Sequence, residues 1–198
     1  MADVSPQVIV IAGPNGAGKT TSSKAFLREY LDVGTFVNAD IIAQGISGFS
    51  GDLAAVKAGE IMLDRLHELA AAKTSFAFET TLASRTIAAM ARKWIADGYQ
   101  FHLLFIYLSS PELAIARVKA RVEAGGHDIP PQTIERRYHR GLSNFFSLYH
   151  PLAATWTMYN NSIEDKPSLV ATGGKGVPIR PIDPELWKML ESKYGRSQ

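Results

Sequence analysis

The chain has 198 residues, 21 basic and 19 acidic side chains, a formal net charge of +2, 46% hydrophobic and 20% charged residues, and no cysteine. That is the size and balance of one ordinary domain, 1–198, and the near-neutral charge argues against nucleic acid as a general partner. The missing cysteines exclude disulfides, thiolate metal centres and cysteine nucleophiles. No apolar run approaches the roughly 20 residues that span a bilayer, and residues 1–7 lack the basic and apolar regions of a signal peptide, so no membrane partner and a cytoplasmic location are expected.

Short apolar runs alternate with longer helical stretches along the chain, which predicts an α/β fold around a mostly parallel, doubly wound, five-stranded sheet. Val8 to Ala12 reads VIVIA, a continuous apolar run suited to a buried strand. Lys19 to Tyr30 is helical in character, and GTFVNAD, ending at Asp40, holds a short second strand. Asp52 to Ala72 is a long helix with Asp52 as its candidate N-cap. SFAFET from Ser75 is a third strand, and Ser84 to Asp97 a helix closed by Gly98. FHLLFIYL from Phe101 is the clearest strand of all. Ser110-Pro-Glu then opens a helix with a cap, a proline in its first turn and an acid to complement its dipole. It runs to Glu123 and ends at Gly125-Gly126. Gln132 to Phe146 is helical again, TWTMYN and SLVATGG are late strands, and Pro184 to Tyr194 is a terminal helix. Glycines and prolines flank the charged segment from about Glu123 to Arg137, which is the expected mobile piece.

The first motif lies between the first strand and its helix. GPNGAGKTT, from Gly13 through Pro14, Asn15, Gly16, Ala17, Gly18, Lys19 and Thr20 to Thr21, matches G-x(4)-G-K-[ST] in the strand–loop–helix setting that pattern requires. Its glycines let backbone N–H groups converge on an anion, and the helix adds its positive end. Lys19 is placed to reach β- and γ-phosphates, and the Thr20 hydroxyl to ligate Mg²⁺. An ATP·Mg²⁺ site is therefore expected.

Asp40 follows the second strand, expected beside the first strand's loop. It has two readings: an acceptor for a substrate hydroxyl's proton, or a cap for the helix beginning near Ile41. Glu79 and Thr81 lie at the carboxyl end of the third strand, where open α/β sheets bind ligands, and Arg85 lies a turn beyond. An acid and a hydroxyl suit a polar substrate, and an arginine an anionic one; equally, Ser84 can cap a helix and leave Arg85 in solvent. Arg117 and Arg121 share a helix face on one arm of the flexible segment, and Arg136 and Arg137 stand on the other. Arginines on two arms of a lid can neutralise the charge on a transferring phosphoryl group and exclude water. The same segment also reads as two charged surface helices. His127 and His139 read as polar lid residues.

The rest of the chain separates a transferase from a motor. FHLLFIYL ends in Ser109-Ser110 rather than an acid, and neither an LSGGQ-like segment nor an NKxD segment is present. Together GPNGAGKTT, NAD, FETTLASR, RVKARVEAGGHDIP and IERRYHRGLSNF resemble the zeta-toxin family of P-loop kinases, over about residues 8–162. The resemblance implies an adenylate-kinase-like core with a helical lid at about 123–137, and transfer from ATP to a hydroxyl of a nucleotide-sugar such as UDP-N-acetylglucosamine. It makes Asp40 the catalytic base beside Lys19, gives Glu79, Thr81, Arg85 and Arg137 to the substrate, and places Arg117, Arg121 and Arg136 among the groups on the polyphosphate. It also implies an antitoxin protein as partner. The chain departs from the family in its compactness and in Asn160, which stands where an acid is expected. Another small hydroxyl substrate, a nucleic-acid end, or an ATPase module without an acceptor remain the alternatives.

Overall fold

The computed structural model describes residues 5–21, 34–46, 51–126, 128–163 and 166–195. The apolar run after Pro6 forms β1 (Gln7–Ala12), whose residues from Val8 onward are all buried. Burial on both faces is what a central parallel strand demands. β1 pairs in parallel with β3 (Phe76–Thr80) on one side and with β4 (Gln100–Tyr107) on the other. The short β2 (Phe36–Val37) adds outside β3, and β5 (Thr155–Asn160) outside β4, both parallel. β6 (Ser168–Gly174) and β7 (Val177–Pro181) extend that edge antiparallel. The seven-stranded order is β2-β3-β1-β4-β5-β6-β7.

The five parallel strands are those expected from the hydrophobic pattern. Chain order reverses at β1, because β3 is laid on one side and β4 on the other. A crevice therefore opens outside the carboxyl ends of β1, β3 and β4, as at other switch points. The sheet has seven strands where the hydrophobic pattern predicts five, because an antiparallel pair extends the β5 edge. β2 pairs with β3 and not with β1, so β3 stands between Asp40 and the first strand's loop. β7 is a strand the pattern does not announce, since Pro178 and Pro181 weaken its signal; prolines are tolerated at an edge.

The helices are α1 (Ala39–Gly45), α2 (Gly51–Ala71), α3 (Thr86–Ala96), α4 (Pro111–Glu123), α5 (Pro131–Asn144) and α6 (Pro184–Tyr194). A further helix opens at Lys19, and its expected continuation to Tyr30 lies outside the described residues beyond Thr21. α2 begins at Gly51, so Asp52 belongs to its first turn and is not its cap. α4 has the expected cap, with Ser110 Oγ accepting from Leu113 N at 3.2 Å. α5 does not end in a cap; it runs on as a π-helical turn, Phe145–Tyr149.

Two aromatic groups tie helices to the sheet. Phe76 meets Trp94 of α3 edge-on at 5.4 Å, and Trp156 of β5 stacks on Trp187 of α6 at 5.2 Å. Such pairs add about 0.5–1.5 kcal/mol beyond area burial. The second pair fixes α6 against β5.

Candidate active site

The loop after β1 is built by close backbone approach. Gly13 sits at φ 144°, and a Cβ there would strike the Ile106 carbonyl of β4. Gly16 sits at φ 77°, and its Cβ would lie 2.8 Å from Ala114 O of α4. Only glycine meets both conditions without strain. Gly13 N donates to Thr80 O at 3.2 Å, which stitches the loop to the end of β3. Lys19 Nζ donates to Gly13 O and Pro14 O, each at 3.0 Å, so its ammonium rests over the loop. Burial pushes the Lys19 pKa down; the negative charges of Glu79 and Asp40 oppose that, and Arg121 and Arg137 add to it.

Two carboxylates face this cation. Glu79 ends β3 and is only 8% exposed, although acids are seldom buried without a partner. Thr20 Oγ1 donates to Glu79 Oε2 at 3.2 Å, which holds the hydroxyl beside the acid. Asp40 is exposed in the first turn of α1. The cap is Asn38, whose Oδ1 accepts from Asp40 N at 2.8 Å and from Ile41 N at 3.3 Å. The capping alternative for Asp40 is thereby corrected, and its carboxylate is left to the crevice. A cavity of about 190 Å³ collects Asn15, Gly16, Gly18, Lys19, Thr20, Thr21, Asp40, Glu79, Arg117 and Arg121. Asp40 and Lys19 meet there even though β3 separates their strands.

The arginines divide by position. Arg121 lines the cavity and acts electrostatically on Lys19. Arg137 is half-buried; burial and its neighbour Arg136 lower its pKa, and Asp40 raises it. Arg137 also bears on Lys19, whereas Arg136 is exposed and is not among the charges acting on Lys19. Adjacent helical residues point about 100° apart, so only one of the pair turns inward. Arg85 is exposed at the start of α3 and lies outside the cavity lining, as does Thr81. α3 begins at Thr86 with Arg85 at its cap position and no side-chain cap bond, so Ser84 is not the cap; its Oγ accepts from Thr86 N at 3.1 Å. His139 Nδ1 lies 3.1 Å from Tyr194 Oη of α6, so that ring packs on the terminal helix and not on the lid. His127 lies outside the described residues.

Arg117 has a second occupation that spacing could not reveal. Its Nη1 donates to Asn161 O at 2.8 Å and its Nη2 to Ser162 O at 3.2 Å, which anchors the loop after β5. Asn161 Nδ2 in turn donates to Ala17 O at 2.9 Å. These bonds brace the phosphate loop from a segment 144 residues away in sequence. Asn160 Oδ1 accepts from Ser162 N at 3.0 Å, a local contact inside the same loop. Losing one such bond costs about 0.5–1.5 kcal/mol. Asn161→Ala is accordingly expected to weaken ATP binding roughly 2- to 10-fold, as read by calorimetric titration; unchanged affinity would remove the brace from the site.

The donor set fits a nucleotide with Mg²⁺. Glycine backbone crowds where side chains would collide, an ammonium lies over the loop, and a threonine hydroxyl stands beside carboxylates. No group of three or more His, Cys, Asp or Glu gathers among the described residues. A magnesium ion here would draw on Thr20, Asp40 or Glu79, phosphate oxygens and water, its usual preference.

Comparison with known proteins agrees with this geometry. The zeta-toxin family model matches residues 1–161. A Haemophilus influenzae protein described as uncharacterized is 30% identical over 132 residues, which is 67% of this chain and 92% of that protein. The structure of the PezAT chromosomal toxin–antitoxin system of Streptococcus pneumoniae superposes with a TM-score of 0.66 at 18% identity, over 100% of this chain and 81% of that one. The AvrRxo1-ORF1:-ORF2 structure with ATP gives a TM-score of 0.72 at 16% identity, over 99% of this chain and 66% of that one. The chain thus spans a little under two thirds of that longer protein.

Proposed function

The chain belongs to the zeta-toxin family, and from that premise we propose that it is an ATP-dependent kinase whose acceptor is a hydroxyl of a nucleotide-sugar such as UDP-N-acetylglucosamine. The observation that carries this reading is the gathering of Lys19, Arg117 and Arg121 opposite Asp40 and Glu79 around one cavity. Cations suit a polyphosphate, and a carboxylate clear of its helix cap suits a hydroxyl proton. Bound ATP·Mg²⁺ would supply the phosphoryl group and part of its charge compensation. Phosphoryl transfer needs little covalent help from the protein; positioning and charge stabilisation supply most of the catalysis.

Each residue then has a separable task. The amides of the loop from Gly16 to Lys19 hold phosphate oxygens, and the Lys19 ammonium leaves the Gly13 and Pro14 carbonyls for them. Thr20 offers its hydroxyl to the metal, and Glu79 orients that hydroxyl. Asp40 accepts the proton of the acceptor hydroxyl. Arg121 and Arg137 face the charge that develops during transfer, with Arg136 the outer member of the pair. Thr81 and Arg85 hold the far part of the acceptor on the rim. A cognate antitoxin protein is part of the same proposal, by analogy with the PezAT system.

The rival is an ATPase module without an acceptor. β4 ends in Tyr107, followed by Leu108, Ser109 and Ser110, with no acid to activate water at that position. ADP release measured with and without a panel of UDP-sugars decides between them. The kinase reading expects acceptor-dependent release; turnover indifferent to every acceptor would establish the module instead. Another small hydroxyl compound or a nucleic-acid end would show as release with those acceptors alone.

A lid completes the proposal. Gly125 at φ 89° turns the chain after α4, while Ile129 and Ile134 are buried and pin the returning arm. Like charges on the two arms repel until an anion compensates them, so ATP is expected to shift the population towards closure. Hydrogen exchange should slow across 123–137 when a non-hydrolysable ATP analogue and the acceptor are both present. Protection limited to the phosphate loop would leave these arginines as surface charge.

A further inference from the structure

The segment after Glu79 is held by contacts beyond the Gly13 N–Thr80 O bond that joins it to the phosphate loop. Leu82 is fully buried yet adopts φ 57°, a left-handed conformation that is costly for a branched side chain. Such strain persists only where the surroundings over-determine it. Three contacts do so, and all come from α5 and the π-helical turn that continues it. Gly141 lets the helix backbone approach so closely that a Cβ would strike the Thr81 carbonyl. Asn144, itself 7% exposed, donates from Nδ2 to Leu82 O at 2.7 Å. Tyr149 donates from Oη to Ser84 O at 2.7 Å, and burial keeps its phenol in the protonated, donating form. The side chains of Thr80 and Thr81 close the same turn on themselves, accepting from Leu82 N at 3.2 Å and Ala83 N at 3.4 Å.

The helix that clamps this loop also carries Arg137. Residues 137, 141 and 144 are four and then three apart, so they form one stripe along α5. At one end the stripe faces Asp40 and Lys19; at the other it meets the backbone carbonyls of Thr81 and Leu82. π-helical turns often mark functional sites, and this one brings Tyr149 to Ser84.

We propose that Asn144 and Tyr149 are positioning residues for the acceptor: together with Gly141 they lock the Thr80–Ser84 loop in a strained form and fix it to the helix that bears Arg137. The proposal rests on the kinase reading in one respect, that this loop meets the acceptor. Its geometric content, a loop held by α5, stands independently. The consequence is specific. Loosening the clamp impairs recognition of the acceptor and leaves the nucleotide side, built on β1 and α4, unaffected.

Tyr149→Phe and Asn144→Ala test it, with Tyr138→Phe as the control. Tyr138 Oη also makes a buried bond from α5, but to Leu108 O at 2.6 Å, past the end of β4 and not in the acceptor loop. Tyr149→Phe keeps the buried ring and so retains the packing if Asn144→Ala fails to fold. In both test variants KM for UDP-N-acetylglucosamine should rise roughly 3- to 10-fold, the scale of one hydrogen bond, while KM for ATP and acceptor-independent ATP hydrolysis stay unchanged. Amide exchange at 80–86 should accelerate in Tyr149→Phe without ligand and not in Tyr138→Phe. Unchanged exchange in a folded Tyr149→Phe would overturn the clamp, as would an equal rise in acceptor KM in the control. If the wild-type protein uses no acceptor at all, the kinase reading fails, and exchange at 80–86 still decides the clamp.

Discussion

Lys19→Ala should abolish phosphoryl transfer, with a loss of at least about 10²–10³-fold, the cost of removing one preorganised donor from developing charge. The folded protein should survive. Among the described residues the Lys19 ammonium bonds carbonyls of its own loop, Gly13 and Pro14, and its burial already disfavours the charged form. A chain of this length shifts its thermal midpoint by about 2–4 °C per kcal/mol, and the change should be no larger than that. Thermal unfolding and ADP release on the same preparations check both halves. A well-folded variant that still turns over ATP would refute the site.

Asp40→Asn should lower the chemical step by about 10²–10⁴-fold while ATP affinity stays near wild type. The structure makes this a clean substitution. Asn38 caps α1 and accepts from the Asp40 backbone, so the change leaves the cap intact. Only a first-turn negative charge is lost, worth about 0.3–1 kcal/mol at a helix N-terminus. Single-turnover rates at saturating ATP and acceptor, set beside a nucleotide titration, separate chemistry from binding. A wild-type rate would leave Asp40 with no part in proton transfer.

The phosphate loop was readable from one dimension because its physics is local. A buried strand, glycines at fixed spacing and a helix start lie within fifteen residues, and each constrains the next. The central strands β1 and β3 were readable for a similar reason: strands buried on both faces become continuous apolar runs. The Ser110 cap and the bounds of α6 also follow from nearest neighbours.

The remainder depended on contacts between distant parts. Strand order cannot be deduced from strand existence, and only the fold places β3 between β2 and β1. Asn38 and Asp40 both stand at one helix start in sequence, and only the fold shows that Asn38 takes the cap and releases Asp40. Arg136 and Arg137 are indistinguishable as adjacent charges; the rotation of α5, set by burial of Ile134, Tyr138 and Leu142, turns Arg137 towards Asp40. Sequence by itself determined the chemistry on offer: a phosphate loop, acids at strand ends and arginines on two arms. Tertiary structure decided which of those groups meet, and it added Asn144, Tyr149 and Asn161. Their hydrogen bonds join residues 62, 65 and 144 positions apart, and no local pattern encodes a contact across such separations.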